Sequence, residues 1–188
     1  MVNKKYIIFD LDGTLVDSYR TVVNTCKKVF ASYFMDRMPD NDFFITYQRK
    51  DMEHMFKKLA LRANTSTEDF RNKYDHLYAL ECISGTSVIK EQYKIMVDAK
   101  ANGIGIIILT NKKQKLAEEV CEKLFGNNAI DVIIGRKGVQ PIKPRHVIVD
   151  RLLAHNIFLE QCISYYGDSD IDRKTAELLR INYFNVKI

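Results

Sequence analysis

The stretch Tyr6-Ile7-Ile8-Phe9-Asp10-Leu11-Asp12-Gly13-Thr14-Leu15-Val16-Asp17-Ser18 decides the predicted fold of this chain. Its first four residues are β-branched or aromatic without polar alternation, which predicts a strand buried on both faces, as in a parallel sheet. Side chains two residues apart leave a strand on the same face, so Asp10 and Asp12 at its carboxyl end converge on one point. Gly13 permits the tight turn that carries the backbone past that point.

Two carboxylates this close repel each other and are costly to desolvate together. A hard cation such as Mg²⁺ would offset that cost, so the pair predicts a metal site. The alternative is a surface hairpin, because Asp-Gly is a common hairpin turn. Against the hairpin, no alternating strand follows Gly13, and the next apolar residues recur at helical spacing.

Further apolar runs predict strands at residues 104–109, 129–134, 162–166 and 183–186, and helical patterns lie between them. Strands that alternate with helices are typical of an α/β, Rossmann-like fold with a mainly parallel sheet. Right-handed crossovers would place helices on both faces of that sheet.

Residues 16–85 interrupt this alternation with amphipathic helical stripes, and the segment is too long for a simple crossover. We therefore predict an α/β core domain formed by residues 1–15 and 86–188, with residues 16–85 inserted as an all-helical cap. Ligands of such sheets bind at the carboxyl ends of the strands. The cap is expected to lie over that edge and act as a lid.

Polar residues follow the predicted strands at the same edge of the sheet. They are Asp10, Asp12, Thr110, Asn111, Lys143, Asp168 and Asp172. Each also has a plainer interpretation: Thr110-Asn111 as a helix N-cap, Lys143 as a surface lysine, and Asp168-Ser169-Asp170 as the cap of the next helix. Their shared placement favours a functional site.

This combination of residues suits phosphoryl transfer. A carboxylate can attack phosphorus to form an acyl phosphate, and a second carboxylate can protonate the leaving oxygen and later activate water. A metal ion, a lysine and hydroxyl or backbone donors would neutralise the transferred group.

Four segments together resemble the motifs of the haloacid dehalogenase (HAD) superfamily, in the phosphoglycolate-phosphatase-like group with a helical cap. The first motif is matched by Asp10-Leu11-Asp12-Gly13-Thr14-Leu15-Val16-Asp17-Ser18. Three further segments resemble the second, third and fourth motifs: Ile108-Leu109-Thr110-Asn111, Ile142-Lys143-Pro144 and Gly167-Asp168-Ser169-Asp170-Ile171-Asp172. The resemblance covers the whole chain in order and implies a HAD-type Rossmann-like core. Tyr166 departs from the pattern, which usually has a small aliphatic residue there.

The resemblance also implies a role for each matching residue. Asp10 would be the nucleophile, and Asp12 the general acid and base. Thr110 and the backbone of Asn111 would hold the phosphoryl group, and Lys143 would neutralise it. The implied Mg²⁺ ligands are Asp10, the main-chain carbonyl of Asp12 and Asp168. Asp172 would either ligate the ion or hold a metal-bound water, and the second role is the expected one. An acid at position 12 favours phosphatase over dehalogenase chemistry.

The implied function is a Mg²⁺-dependent phosphatase that hydrolyses a small phosphorylated metabolite through an aspartyl-phosphate intermediate. The substrate would be a phosphoglycolate-, sugar-phosphate- or nucleotide-like monoester. Arg49, in a predicted break between cap helices, is a candidate contact to a substrate carboxylate or second phosphate; the alternative is a solvated charge. The other functions considered are a phosphomutase of the same superfamily and a non-catalytic phosphate-binding or regulatory module.

Composition and charge limit the expected location and partners of the protein. The chain has 188 residues, a formal net charge of +5 and no apolar run long enough to cross a bilayer. The predicted strand begins too early to leave room for a signal peptide, so a cytoplasmic location is expected, with a monomer or homodimer and no nucleic-acid or membrane partner. The four cysteines have no CxxC spacing and are expected to be buried and reduced. Lysine pairs such as Lys112-Lys113 are interpreted mostly as solvated helix faces.

Overall fold

The computed structural model describes residues 4–33, 38–47, 52–138 and 140–186. The strands in chain order are β1 (Tyr6–Phe9), β2 (Val16–Asp17), β3 (Ser87–Val88), β4 (Gly105–Lys113), β5 (Val132–Arg136), β6 (Cys162–Gly167) and β7 (Asn182–Asn185). The α-helices are α1 (Tyr19–Ala31), α2 (Asn41–Tyr47), α3 (Met52–Arg62), α4 (Thr67–Glu81), α5 (Lys90–Ala101), α6 (Gln114–Phe125), α7 (Val147–Leu153) and α8 (Asp170–Leu179), and a short 3₁₀ helix covers Leu159–Gln161.

The main sheet has the strand order β5-β4-β1-β6-β7, and every neighbouring pair is parallel. β1 is the central strand, with Phe9 opposite Ile108 of β4 and Tyr166 of β6. Ile7, Ile8 and Phe9 are buried, as expected for a central strand. The predicted α/β, Rossmann-like fold is confirmed.

Helices cover both faces of this sheet. One core cluster joins strand residues such as Ile8, Ile107 and Tyr165 to buried residues of α7 and α8. The buried side chains of α5 and α6 lie outside that cluster and pack beside β4 and β5 on the other face. β1 is thus enclosed from both sides, and its carboxyl end lies at the edge where the polar residues gather.

The chain divides into two compact units, one formed by Met1–Asp17 with Ser87–Ile188 and the other by Ser18–Thr86. The second unit is helical: α1 and α3 both pack against α4, around buried aromatic side chains such as Phe30, Phe56 and Phe70. Its two ends are tied together, since the hydroxyl of Thr21 donates a hydrogen bond to the carbonyl of Gly85 at 2.7 Å.

A two-stranded antiparallel ribbon differs from the sequence prediction. Val16 in β2 pairs with Val88 in β3, whereas the sequence predicts an all-helical segment from residue 16. Strands of two residues show no periodicity, which is why the pattern missed them. The ribbon is not a local hairpin at Asp12-Gly13, because its partner strand lies far along the chain.

Two further findings concern composition. All four cysteines are buried and free, as the sequence indicates. Within residues 4–33, 38–47, 52–138 and 140–186, no helix is both long and apolar enough to cross a membrane.

Candidate active site

Three carboxylates meet at the carboxyl edge of the sheet. Asp10 follows β1, Asp168 follows β6, and Asp172 lies in the first turn of α8. One oxygen from each lies within 4.8 Å of the others. The backbone N–H of Asp10 donates to the carbonyl of Tyr166 at 2.8 Å, which continues the pairing of β1 with β6 up to the site. The structure therefore brings together residues that are far apart in the chain.

Lys143 neutralises two of these carboxylates. Its Nζ lies 2.7 Å from Oδ1 of Asp10 and 2.6 Å from Oδ1 of Asp172, and its side chain is only 4% exposed. Although burial opposes the charge, both carboxylates raise the pKa of Lys143, so it stays protonated. Burial and the neighbouring Asp172 raise the pKa of Asp10 well above its usual value, although Lys143 opposes this.

Asp172 accepts hydrogen bonds at both of its carboxylate oxygens. Its Oδ1 accepts from Lys143 and from the hydroxyl of Tyr165 at 3.0 Å, and its Oδ2 accepts from the hydroxyl of Ser169 at 2.5 Å. Burial opposes ionisation, but these donors, with Lys143 foremost, hold the pKa of Asp172 below its usual value. Its role is therefore that of an ionised carboxylate whose position is fixed by its donors.

The sequence does not indicate the part that Tyr165 plays in this network, whereas it does indicate the cap at Ser169. The sequence predicts Tyr165 only as part of a strand, yet its hydroxyl donates a hydrogen bond to the Asp172 carboxylate. Ser169 does cap α8, as the plainer interpretation held, and Asp172 completes the capping box. Asp168 precedes that cap, so its approach to Asp172 results from the capping turn and not from spacing within the helix.

The acid cluster fits a divalent cation. Asp10 and Asp172 share the ammonium group of Lys143, and the carboxylate of Asp168 lies beside them. Carboxylates this close repel one another, and a bound cation would offset that repulsion. Gly13, with φ of +83°, leaves room there: a Cβ on it would lie 2.3 Å from Oδ2 of Asp168. The donors are all oxygens, which is the ligand type of hard cations such as Mg²⁺.

Thr110 and Asn111 lie in an irregular part of β4. Thr110 is buried, and its Oγ1 accepts a hydrogen bond from the backbone N–H of Lys112 at 3.1 Å. The Oδ1 of Asn111 accepts from the backbone N–H groups of Ile142 and Lys143, both at 2.9 Å. The side chain of Asn111 thus ties the loop that carries Lys143 to the end of β4, a contact that sequence patterns did not reveal.

Asp12 has a different partner from the acid cluster. Its Oδ1 lies 2.8 Å from Nζ of Lys112, whose side chain is 5% exposed. The interpretation of Lys112 as part of a solvated helix face is therefore wrong: it lies in β4 and turns inward. The sequence contains a signal for this inward direction. Lys112 follows Thr110 by two residues at a strand end, as Asp12 follows Asp10, and side chains two residues apart leave a strand on the same face. Arg49 lies outside the described residues.

Comparison with known proteins places this chain in a family. The family model described as haloacid dehalogenase-like hydrolase matches residues 7–186. A phosphoglycolate phosphatase of Colwellia psychrerythraea is 24% identical over 200 residues, which cover 95% of this chain and 82% of that protein. A phosphoglycolate phosphatase of Pasteurella multocida is 22% identical over 182 residues, covering 92% and 80%.

A solved structure shows the same fold. It is a haloacid dehalogenase-like family hydrolase from Streptococcus pneumoniae, 22% identical with a TM-score of 0.81, and the match covers 100% of this chain and 86% of that one. The predicted enzyme class, a hydrolase of phosphoric monoesters, is confirmed by the family model and the curated relatives. The chain belongs to the haloacid dehalogenase-like hydrolases, in the group that resembles phosphoglycolate phosphatases.

Proposed function

We propose that this protein is a Mg²⁺-dependent phosphatase that hydrolyses a small phosphorylated metabolite through an aspartyl-phosphate on Asp10. The observation that carries the proposal is the shared contact of Asp10 and Asp172 with the buried Lys143, beside Asp168. A nucleophilic carboxylate must meet a dianionic phosphoryl group, so the site needs fixed positive charge. Lys143 supplies one charge, and a divalent cation at the acid cluster would supply the rest.

Each residue has a proposed task in binding. The hydroxyl of Thr110, the backbone N–H of Asn111 and the ammonium of Lys143 would hold the phosphoryl oxygens. Asp10, Asp168 and the main-chain carbonyl of Asp12 would hold Mg²⁺, and Asp172 would support a metal-bound water. When bound, Mg²⁺ would neutralise the charge of the transferred group.

The chemistry then follows in two steps. A carboxylate oxygen of Asp10 attacks phosphorus, forming a new O–P bond while the bond from phosphorus to the substrate alcohol breaks. Asp12 donates its proton to the departing oxygen. In the second step Asp12 takes a proton from water, which attacks phosphorus, releases inorganic phosphate and restores Asp10.

The substrate is proposed at the level of a small monoester: phosphoglycolate, as in the names of the curated relatives, or a sugar phosphate or nucleotide. Residues 18–86 are proposed as the cap that selects among them. Arg49 is a candidate contact to a substrate carboxylate or second phosphate.

The test is the release of inorganic phosphate from a panel of phosphorylated metabolites, with Mg²⁺ and with chelator. Wild type, Asp10→Asn and Asp170→Asn would be compared; the last is a matched control, because the Asp170 side chain is 84% exposed. We expect Mg²⁺-dependent release that Asp10→Asn abolishes and Asp170→Asn leaves intact. Radiolabelled phosphate should stay on the acid-quenched wild type and not on Asp10→Asn. Release that persists without the Asp10 carboxylate would reject the proposal.

A further inference from the structure

We propose that Lys112 is a positioning residue, which holds the carboxylate of Asp12 in the orientation needed for proton transfer. The inference rests on the proposed function and extends it to a residue that takes no direct part in the chemistry. It starts from the contact between Nζ of Lys112 and Oδ1 of Asp12, at 2.8 Å.

The contact differs from an ordinary surface ion pair, because its lysine is buried. The Lys112 side chain is 5% exposed, whereas most lysines keep their ammonium in water. A buried ammonium is costly unless a carboxylate meets it in good geometry. The Asp12 side chain is 31% exposed, so the acid lies nearer the solvent than the lysine that contacts it.

The backbone around Lys112 is shaped to direct it there. Leu109 pairs with Ile134 and Lys113 with Arg136, so three residues of β4 stand against one of β5. Such bulges redirect side chains and are frequent beside active sites. The bulge is pinned by the hydrogen bond from the N–H of Lys112 to Thr110. On β5, a Cβ at Gly135 would lie 3.0 Å from the carbonyl oxygen of Lys112.

The chemical reason lies in the two duties of Asp12. The same carboxylate must give a proton to the leaving oxygen and later take one from water, so its direction matters in both steps. An ammonium bound to Oδ1 restrains rotation of the carboxylate about the Cβ–Cγ bond and thereby limits the direction of Oδ2. Lys143 binds the carboxylate of the nucleophile Asp10, and Lys112 in the same way binds that of Asp12, two residues further along the chain.

The choice of leaving group separates this role from a merely structural one. An alkyl phosphate needs a proton on its departing oxygen, whereas p-nitrophenyl phosphate releases a stable anion without one. In Lys112→Met we expect the first turnover to slow by about 10- to 100-fold with the alkyl ester and by less than about threefold with the nitrophenyl ester. Slow hydrolysis of the aspartyl-phosphate should then give a burst of nitrophenolate. An equal loss with both esters would overturn the proposal.

A double-mutant cycle tests whether Lys112 acts through Asp12. Adding Lys112→Met to Asp12→Asn should cost less than about twofold beyond Asp12→Asn alone, and a further loss as large as in the wild-type background would overturn the proposal. Lys112→Arg should restore part of the rate. Lys115→Met is the matched control, because that lysine is 88% exposed. An inactive wild type, or activity that persists without the Asp10 carboxylate, would reject the proposed function itself. If the wild type is active but the Lys112 variants do not behave as expected, only the role of Lys112 is rejected.

Discussion

The side-chain oxygen of Asn111 accepts a hydrogen bond from the backbone N–H of Lys143 at 2.9 Å, which joins the end of β4 to the loop that carries the buried ammonium. The same oxygen also accepts from Ile142. The position of Nζ between two carboxylates therefore depends on a residue whose side chain does not touch them.

The first prediction concerns that link. Asn111→Ala should leave two backbone N–H groups without their partner and displace Lys143, so kcat should fall by about 10- to 100-fold. The free energy of unfolding should fall by about 1–3 kcal/mol. Steady-state kinetics and urea unfolding measure the two effects. Asn127→Ala, at an exposed turn position, is the control; an equal fall of kcat in both variants would contradict the role of Asn111.

The second prediction concerns the metal. Gly13→Ala would push a methyl group against Asp168 and should weaken Mg²⁺ binding at least about tenfold, as measured by titration calorimetry. Gly103→Ala is a close control: its φ is +76°, against +83° for Gly13, but nothing lies within 4 Å of its Cβ. Both variants should lose about 1–2 kcal/mol of stability from the left-handed backbone. Equal Mg²⁺ affinity in the two would contradict the placement of the metal.

The third prediction concerns the pH dependence of stability in chelator. Burial and Asp172 raise the pKa of Asp10 in the folded protein, so the folded state binds that proton more tightly than the unfolded state. The free energy of unfolding should therefore fall as the pH rises from about 4, the ordinary value, through the folded pKa. Asp10→Asn removes this fall and should be more stable than wild type by about 1–3 kcal/mol at pH 7.

Below pH 4, where Asp10 is protonated in both states, the two proteins should unfold alike. Adding Mg²⁺ at pH 7 should stabilise wild type more than Asp10→Asn, because binding to the folded state alone raises its stability. Urea titrations at several pH values measure both effects. A variant less stable than wild type in chelator would contradict the electrostatic account.

The sequence predicts the strands and the location of the site better than it predicts contacts between segments that are distant in the chain. The strand at Tyr6–Phe9 and the edge that gathers Asp10, Lys143 and Asp168 follow from continuous apolar runs and from the geometry of parallel sheets. The inward turn of Lys112 does not, because a bulge depends on pairing between two strands that are distant in sequence. The contact of Asn111 with a loop some thirty residues later is of the same kind. Hydrophobic periodicity indicates which face of a helix or strand is buried, but it does not indicate which buried polar atoms contact each other.

The fourth prediction concerns Asp131, outside the site. Its carboxylate accepts from Lys4 at 2.7 Å, from Lys100 at 2.8 Å and from the backbone N–H of Ile106 at 2.8 Å. Although burial opposes it, these donors hold the pKa of Asp131 below its usual value. The stability it contributes is therefore present above about pH 4 and is lost as the pH falls through the folded pKa.

Asp131→Asn should accordingly destabilise the protein by about 1–2 kcal/mol at pH 7 and by less as the solution is acidified. Thermal unfolding from pH 7 to pH 3 measures the trend, which is opposite in sign to that of Asp10→Asn. A destabilisation that grows on acidification would show that the carboxylate is not held by these donors. Asp170→Asn, whose exposed ion pair is screened by water, should change little at any pH.

The central position of β1 has a consequence for biosynthesis. Both of its neighbours, β4 and β6, are made long after it, so at roughly 5–20 residues per second the strand waits on the order of ten seconds for its second partner. During that time Ile7, Ile8 and Phe9 form an unpaired apolar segment, which is the kind that nucleates aggregation. Lys5 and Asp10 flank it with charge. We therefore expect the residue proposed as the nucleophile to act also as a gatekeeper, because a charge beside an apolar segment disfavours its pairing with other chains.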